Sequence, residues 1–300
     1  MWYYVNGEFV EEAEAKISVL DRSFVYGDGC FEGIAISDGR VLHLDEHVDR
    51  LFRSTGALRI PLPTSPYEIK DLILQSAALN GMDEIQAGYI RVIVTRGIGP
   101  LGVSYSADLG PASIVIIPQV GQRRVAYHGD IEVYRAVITR YVRGGPRSVD
   151  PRVKANSYLP NILAFLEARD RGGDLGILQD EDGFVAEGHG MNIFCVKGTQ
   201  LVTPHEESGL AGITRAHVIE VARDLGYECR EGRLAPYDLY CADEVFVTSS
   251  LESVAAVATI DGQALPDPIP GPVATAVRDL YVQQAVETGA PVPSRSASPS

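Results

Sequence analysis

The sequence has few positive charges, and few of these are lysines. Its 26 Lys and Arg residues against 40 Asp and Glu residues give a formal net charge of −14 at pH 7 over 300 residues. A surface of this sign repels phosphate backbones and anionic lipids, so we expect neither a nucleic-acid nor a membrane partner. The chain has only four lysines, Lys16, Lys70, Lys154 and Lys197, so each can be weighed individually.

Cysteine is scarce, and long apolar runs are absent. The four cysteines, Cys30, Cys195, Cys229 and Cys241, lie far apart in apolar stretches without C-x-x-C spacing. This pattern predicts buried free thiols, no disulfide framework and a reducing compartment. No stretch approaches the ~18 apolar residues of a membrane span, and the first residues lack the basic and apolar regions of a signal peptide. We therefore expect a cytoplasmic protein.

The composition that remains, 45% hydrophobic and 22% charged, is typical of a globular chain long enough for two domains. Asn6-Gly7 and Asp38-Gly39, each between apolar runs, predict two hairpins. Helices are predicted behind Asp45 as N-cap and from Ser65 to Gly81. Strands are predicted at 89–95, 113–118, 130–139, 175–179, 192–196 and 244–249. This mixture predicts an α/β (mixed α+β) fold.

Two further helices are predicted from apolar stripes in the second half of the chain. The stripes are Leu159, Ile162, Leu163 and Leu166 in one helix, and Val218, Val221, Ala222 and Leu225 in the other. The polar segment 119–126 indicates a linker. We therefore predict a small domain at 1–118, a larger domain at 127–288 and a disordered Pro/Ser-rich tail at 289–300.

Lys154 is the lysine best placed for chemistry. It lies just before an apolar-striped helix between Val153 and Ala155, which predicts partial burial. Burial lowers the pKa of a lysine, and a neutral amine can form a Schiff base. The alternative is a lysine whose stem packs while its ammonium group reaches water.

Two glycine-rich segments offer further candidate sites. In GLAGITRAH (209–217) the turn at Gly212 leads into a helix at Thr214, which predicts a phosphate cradle or, equally, a plain threonine N-cap. Glu187 precedes Gly188 and Gly190 in GFVAEGHGMNIF, so its carboxylate can face a cleft or stand as a solvated acid in a turn.

His43, Glu46 and His47 match the zinc peptidase pattern H-x-x-E-H. Such a site needs both imidazoles on one helix face. Here the pattern crosses the predicted boundary between a strand end and the N-cap Asp45, so a zinc peptidase is only a remote alternative, and we expect no metal.

Six segments in one order resemble the fold-type IV family of pyridoxal-phosphate enzymes. They are Y-G-x-x-x-F-E-G-I (Tyr26–Ile34), E-H-x-x-R-L with Arg50, the lysine Lys154, E-G-x-G-x-N-I-F (Glu187–Phe194), G-I-T-R (Gly212–Arg215) and D-E-V-F-V-T-S-S (Asp243–Ser250). The family includes branched-chain aminotransferases, D-amino acid aminotransferases, aminodeoxychorismate lyases and (R)-amine transaminases. The resemblance spans about residues 4–285 and implies a small α/β domain followed by a larger, cofactor-binding pseudo-barrel domain.

The resemblance also implies roles for individual residues. Lys154 resembles the lysine that holds pyridoxal 5′-phosphate as a Schiff base and moves the substrate proton. Glu187 would pair with the pyridine nitrogen, and Tyr158 would donate to the phenolate oxygen of the ring. The phosphate would be held by Arg50, Gly212, Ile213, Thr214, Ser249 and Ser250.

On the substrate side, the resemblance implies contacts from Tyr26, Phe31, Gly33, Tyr89, Arg91 and Arg96. Phe31-Glu32-Gly33-Ile34 and Tyr89-x-Arg91 resemble the branched-chain pattern, whereas Val94-Thr95-Arg96-Gly97 also occurs in D-specific and lyase branches. For Arg96, a solvated position at a strand end is the alternative. We expect a homodimeric or higher-oligomeric transaminase that moves the amine of an apolar L-amino acid to 2-oxoglutarate by ping-pong chemistry. A D-amino acid or (R)-amine transaminase, or a lyase, is the alternative.

Overall fold

The computed structural model describes residues 1–104, 109–121 and 127–294, and the chain divides into two compact units. The first unit comprises residues 1–125, 153–157 and 285–300, and the second comprises 126–152 and 158–284. Unlike the predicted linear division, a short segment around Lys154 and the C-terminal end belong to the first unit. Most of the predicted linker, 122–126, lies outside the described residues.

Both units contain strands and helices. The strands are β1 (Trp2–Val5), β2 (Glu8–Glu11), β3 (Gly29–Ser37), β4 (Arg40–Val41), β5 (Ala87–Thr95), β6 (Ser113–Val120), β7 (Val133–Val142), β8 (Leu175–Gln179), β9 (Val185–Gly188), β10 (Asn192–Lys197), β11 (Gln200–Thr203), β12 (Glu228–Glu231), β13 (Glu244–Ser249), β14 (Ser253–Ile260), β15 (Gln263–Ala264) and β16 (Ala290–Pro291). The helices are α1 (Arg22–Tyr26), α2 (Leu44–Ala57), α3 (Pro66–Leu79), α4 (Leu159–Asp170), α5 (Ile213–Asp224), α6 (Pro236–Tyr240) and α7 (Pro272–Thr288). The predicted mixed α/β class is confirmed.

The first unit is built on a curled sheet in the order β16-β4-β3-β5-β6-β1-β2. The predicted hairpin at Asn6-Gly7 joins β1 to β2, and both residues have positive φ, as a tight two-residue turn requires. Asp38 and Gly39 form the same kind of turn between β3 and β4. Apolar side chains of β3 and β5 pack with α2 and α3 in the core of this unit.

The predicted starts of the two helices in this unit have different outcomes. Ser65 caps α3 as predicted, and Glu68 completes the capping box. The predicted cap Asp45 is wrong, because α2 begins at Leu44 with His43 as its N-cap. Asp45 lies in the first turn, where a negative charge is favourable to the helix dipole.

The second unit holds a curled sheet in the order β12-β11-β10-β13-β14-β7-β8-β9, with β15 paired to β14. Strands β8, β10 and β13 lie where the sequence predicts them, and β7 starts three residues later than predicted. The apolar stripe of α5 is buried as predicted at Val218, Val221 and Ala222, whereas the fourth predicted member, Leu225, lies just past the helix end and is exposed.

Helix α4 contradicts the prediction about its apolar stripe. Leu159, Ile162 and Leu166 are exposed by 63%, 52% and 36%, whereas the side chains of Asn161, Ala164 and Ala168 are buried. The reason is a close approach of the helix to β8, since a Cβ atom at Gly176 would lie 2.5 Å from the carbonyl oxygen of Ala164. Only small residues fit on the inner face, and the large ones point outward.

The predicted disordered tail is wrong for its first residues. Ala290 and Pro291 form β16 against β4, and the amide of Val292 donates to the carbonyl of Gly39 at 2.9 Å. Val292 is also buried in the core of the first unit. Residues 295–300 lie outside the described part of the chain.

Two predictions concern cysteines and membrane spans. Cys30, Cys195 and Cys229 are buried free thiols as predicted, whereas Cys241 is exposed. Burial raises the pKa of Cys30 and of Cys195 to about 12. Within the described residues, every helix is too short or too polar to cross a membrane.

Candidate functional site

Four of the predicted substrate residues share one face of the sheet in the first unit. In the antiparallel register of β3 and β5, Gly33 lies opposite Arg91 and Ala35 lies opposite Tyr89. Because side chains alternate along a strand, Phe31, Gly33, Tyr89 and Arg91 point to the same side. Gly33 is required there, since a Cβ atom would lie 2.9 Å from ring atom Cε2 of Tyr89.

Arg91 is the cation of this sheet face. Its Nε donates to the hydroxyl of Tyr89 at 3.2 Å, and its guanidinium carbon lies 4.6 Å from the ring centroid of Phe31. The Arg91 side chain is exposed, while Phe31 and Tyr89 are buried. The two aromatic rings therefore orient a charge that water, or an anionic group, can reach.

Lys154 lies on the same side of β3. Its Nζ is 4.7 Å from the ring centroid of Phe31. The amide of Phe31 donates to the carbonyl of Lys154 at 2.9 Å, and Cys30 and Ala155 form an isolated β-bridge. Lys154 is half-buried, as predicted, and its backbone is fixed to β3 five residues before α4 begins.

Arg50 belongs to a buried charged cluster with Glu32 and His47, a pairing that sequence reasoning missed. Its Nε and Nη2 donate to the two carboxylate oxygens of Glu32 at 2.7 Å each, and His47 Nδ1 lies 2.7 Å from Glu32 Oε2. All three side chains are buried. Burial opposes the charge of Glu32, but the charge and hydrogen bonds of Arg50 and His47 hold its pKa down to about 2.

His47 therefore does not serve the predicted zinc pattern. Burial lowers the pKa of His47, and its Nδ1 is occupied by Glu32. His43 stands outside the helix as its N-cap, with Nδ1 3.9 Å from Glu46 Oε1. Two features of the sequence indicate this arrangement. The spacing of His47 and Arg50 places both on one face of α2, and Glu32 is a carboxylate in the otherwise apolar strand β3.

The other two predicted substrate residues of this unit have partners of their own. The hydroxyl of Tyr26 accepts a hydrogen bond from the amide of Gly102. Arg96 donates to both carboxylate oxygens of Asp28, at 2.7 and 3.0 Å, and to the carbonyls of Leu58 and Arg59. These bonds hold the loops around Arg96 together, and with a side chain only 11% exposed the solvated alternative is wrong. A contact between Arg96 and substrate stays a prediction.

Glu187 in the second unit is buried and is not a solvated turn acid. It lies in β9, where Oε2 accepts from the amide of Leu210 at 2.8 Å. Its Oε1 is 2.8 Å from Nε of Arg143. Sequence reasoning missed Arg143, since it directly follows β7, 44 positions before Glu187, and no local spacing links the two.

The start of α5 is a glycine-capped helix end. The N-cap is Gly212 and not Thr214, so the threonine-cap alternative is wrong, and no side chain caps the helix. The first amides of such a helix lack intrahelical acceptors and favour an anion. Asn192 donates to the carbonyl of Leu210 at 2.8 Å and fills the space where a Cβ of residue 212 would stand.

The remaining predicted residues of this unit lie at strand and helix ends. Ser249 ends β13, and its hydroxyl accepts from the amide of Glu252 at 3.0 Å. Ser250 follows it in the turn, half-buried, and Tyr158 is the N-cap residue of α4. Next to the serines, Thr248 Oγ1 is buried without a hydrogen-bonding partner among the described residues.

The chain is similar to known proteins over most of its length. The pattern of the family Amino-transferase class IV matches residues 29–260. A protein of Methanocaldococcus jannaschii, provisionally named a branched-chain-amino-acid aminotransferase, is 38% identical over 288 residues, which are 94% of this chain and 95% of that protein. A solved branched-chain amino acid aminotransferase of T.th., complexed with N-(5′-phosphopyridoxyl)-L-glutamate, has a TM-score of 0.88 at 32% identity and covers 95% of this chain and 94% of its own. That of Thermoproteus uzoniensis with norvaline has a TM-score of 0.86 at 32% identity, covering 96% and 95%.

Proposed function

The chain belongs to the class IV aminotransferase family, and on that premise we propose that it moves the amine of a branched aliphatic or other apolar L-amino acid to 2-oxoglutarate by ping-pong chemistry. The enzyme is a transaminase, and its cofactor is pyridoxal 5′-phosphate. Two ligands of the similar structures support the substrates proposed. Norvaline has an aliphatic side chain, and glutamate is the amino acid that 2-oxoglutarate becomes.

The observation that carries the proposal is the sheet face beside Lys154. The amine of Lys154 lies over the ring of Phe31, and Arg91 on the same face offers a guanidinium to a carboxylate. Phe31 and Tyr89 surround these charges with aromatic carbon, which suits an apolar side chain. An amino acid with a carboxylate, an amine and an aliphatic side chain matches this combination.

The second unit has the donors that a phosphorylated pyridine needs. The uncapped start of α5 offers amides to a dianion, and the partnerless Thr248 hydroxyl next to Ser249 is a buried polar atom that a ligand can satisfy. Glu187 supplies a buried carboxylate for a protonated ring nitrogen. The residues present therefore fit the cofactor.

Bound pyridoxal phosphate supplies a carbonyl carbon that bonds to amines and a ring that withdraws electrons from the substrate Cα. In the proposal Lys154 would bond through Nζ to that carbon with loss of water, and the substrate amine would displace it there. The freed Nζ would then move the proton at Cα. Glu187 keeps the ring nitrogen protonated, and Tyr158 donates to the ring oxygen. The proposed phosphate contacts are Arg50, Gly212, Ile213, Thr214, Ser249 and Ser250. The proposed substrate contacts are Tyr26, Phe31, Gly33, Tyr89, Arg91 and Arg96.

We propose that the enzyme is a homodimer or a larger homo-oligomer. Leu159, Ile162 and Leu166 form an exposed apolar stripe on α4. A contiguous apolar surface of this kind marks an interaction site more often than a solvated one. The strongly negative net charge leaves such an apolar stripe as the natural contact for a second copy of the chain.

The first experiment tests the cofactor and its attachment. Purified protein is expected to be yellow, with a near-visible absorbance band that borohydride abolishes and a covalent adduct that mass spectrometry assigns to Lys154. Lys154→Ala loses the adduct, whereas Lys70→Ala, which removes a lysine ion-paired to Asp45, keeps it. An adduct on another lysine would refute the assignment of Lys154.

A panel of amines then tests the substrate. L-leucine is expected to bleach the band in a single half-reaction, and 2-oxoglutarate to restore it. D-alanine and (R)-1-phenylethylamine are expected to leave the band unchanged. A band that D-alanine or the (R)-amine bleaches, and L-leucine does not, would assign the enzyme to a different branch. A band that none of the three amines bleaches would contradict the proposed transamination.

A further inference from the structure

Three buried hydroxyls in the second unit form a chain that ends at the start of α5. The hydroxyls of Tyr127 and Tyr281 are 3.0 Å apart, and the hydroxyl of Tyr281 donates to Thr214 Oγ1 at 3.3 Å. The exposed fractions of these three residues are 3%, 1% and 3%, so water does not compete for the bonds. We infer that Tyr281, supported by Tyr127, is a positioning residue that aims the hydroxyl hydrogen of Thr214 at the cofactor phosphate.

Counting the hydrogen-bond donors shows that this hydroxyl chain has a direction. A hydroxyl has one hydrogen to donate and can accept two. When Tyr281 donates to Thr214, the hydroxyl hydrogen of Thr214 is not used within the hydroxyl chain. That hydrogen is therefore available to an anion at the helix start.

Burial keeps the first hydroxyl of the hydroxyl chain, that of Tyr127, protonated. Burial, and the neighbouring hydroxyl of Tyr281, raise the pKa of Tyr127 well above its ordinary value. Tyr127 therefore stays protonated and can donate to Tyr281, which leaves the hydrogen of Tyr281 for Thr214. Successive donors polarise one another, so each bond strengthens the next.

The hydroxyl chain also holds the first turn of α5 from outside the helix. Thr214 is the second residue of α5, two positions after the N-cap Gly212, and Tyr281 projects from α7. Without a side-chain cap, a bond from another helix is what orients the threonine. The inference rests on the proposed phosphate contact of Thr214, and it adds two residues that no motif in the sequence indicates.

The experiment compares two cofactor forms that differ only in the phosphate. Holoenzyme is resolved to apoenzyme, and the dissociation constants of pyridoxal 5′-phosphate and of pyridoxal are measured through the borohydride-trapped adduct on Lys154. Tyr281→Phe is expected to weaken pyridoxal 5′-phosphate by about threefold to tenfold and to leave pyridoxal unchanged. Thr214→Val is expected to cost about tenfold, and the double variant no more than Thr214→Val alone.

A second readout excludes a merely structural effect. The phosphorus NMR shift of the bound phosphate is expected to move in Tyr281→Phe, and to move less in Tyr127→Phe, whose hydroxyl is one bond further away. If Tyr281→Phe does not fold, Tyr127→Phe tests by the same two measurements whether the hydroxyl chain supports the phosphate contact of Thr214. Equal weakening of both cofactor forms, no weakening at all, or additive losses in the double variant would overturn the inference. Absence of any adduct in the parent enzyme would instead refute the proposed function.

Discussion

At the scale of single residues, Glu32 shows how one buried charge organises its surroundings. Glu32 is a carboxylate within β3, a strand that is buried along its whole length. It is tolerated because Arg50 and His47 give it three short contacts. Removing one partner of such a cluster leaves the other charge buried and unpaired, which costs far more than the pair contributes.

In apoenzyme, where no phosphate lies near Arg50, Glu32→Gln is expected to lower the free energy of unfolding by about 3–5 kcal/mol at pH 7, because Arg50 is left buried without a counterion. The pKa of Glu32 falls from the ordinary 4.5 to about 2 on folding. Its contribution is therefore complete above pH 4.5 and is lost as the pH falls toward 2. Urea unfolding at about pH 7, 5 and 3 measures both effects.

The control is Glu11→Gln, which removes an exposed carboxylate in the same unit. Glu11→Gln is expected to match the parent enzyme at every pH. Glu32→Gln is expected to lose less stability than the parent between pH 4.5 and 2, because it lacks the group that titrates there. Parallel pH profiles for the parent and Glu32→Gln would contradict the prediction.

Gly33→Ala tests the substrate side of the sheet face. The new Cβ would lie 2.9 Å from Tyr89 Cε2, so the ring, together with its hydrogen bond from Arg91, has to move. We expect the KM for L-leucine to rise about fivefold to tenfold, since a displacement of this kind costs on the order of 1 kcal/mol. Gly56→Ala, with open space around its Cβ, is the control. An unchanged KM in Gly33→Ala would refute the placement of Tyr89.

How well the sequence predicted individual residues depended on whether their signal was local. Lys154 stood out because the chain has only four lysines, and the glycine turn before α5 is a local pattern. Glu32 and Arg143 were missed because their partners come from other elements, and pairing of that kind has no fixed sequence spacing. The hydrogen bonds of Arg96 were missed for the same reason, since they go to Asp28 and to loop carbonyls.

At the scale of elements, the sequence predicted where helices lie better than which side they bury. The period of apolar residues correctly places α4 near Leu159. The same period points the wrong face inward, because the distance to the neighbouring strand is decided by Gly176 and not by the helix itself. In α5 three of the four stripe residues are buried as predicted, and Leu225 is exposed. A hydrophobic stripe therefore predicts that a helix packs against a neighbour. In α4, Gly176 of the neighbouring strand decides which face of the helix packs there.

Gly176→Val tests this close packing. Its side chain would meet the backbone of Ala164, with Cβ at 2.5 Å from the carbonyl oxygen and 2.7 Å from the carbonyl carbon, and backbone cannot move aside cheaply. We expect a loss of about 1–3 kcal/mol or more in the free energy of unfolding, measured by urea titration. The control is Gly145→Ala in the same unit, where nothing lies within 4 Å of the added atom. Equal stability of both variants would show that α4 does not rest on β8.

At the scale of the whole molecule, the division into units depends on pairing between distant parts of the chain. Residues 153–157 join the first unit because the backbone of Lys154 pairs with Phe31, and Ala290 joins it by pairing with Val41. A composition scan predicts polar linkers, as it does at 119–126, although residues 119 and 120 belong to β6. It does not find a short segment that returns to an earlier sheet, since such a segment has no compositional mark.

The exposed stripe of α4 leads to the prediction about assembly. Ile162→Glu places a charge in the middle of the stripe, beside Leu159 and Leu166, and a second copy of the chain would have to bury it. Burial of an unpaired carboxylate costs several kcal/mol, so analytical ultracentrifugation is expected to show the variant at the 32.4 kDa of one chain and the parent at twice that mass. Because Ile162 is exposed, the circular dichroism spectrum is expected to stay unchanged. Tyr237→Glu, at an exposed position on α6, controls for added charge and is expected to sediment like the parent. If Ile162→Glu also sediments like the parent, the contact between copies lies elsewhere.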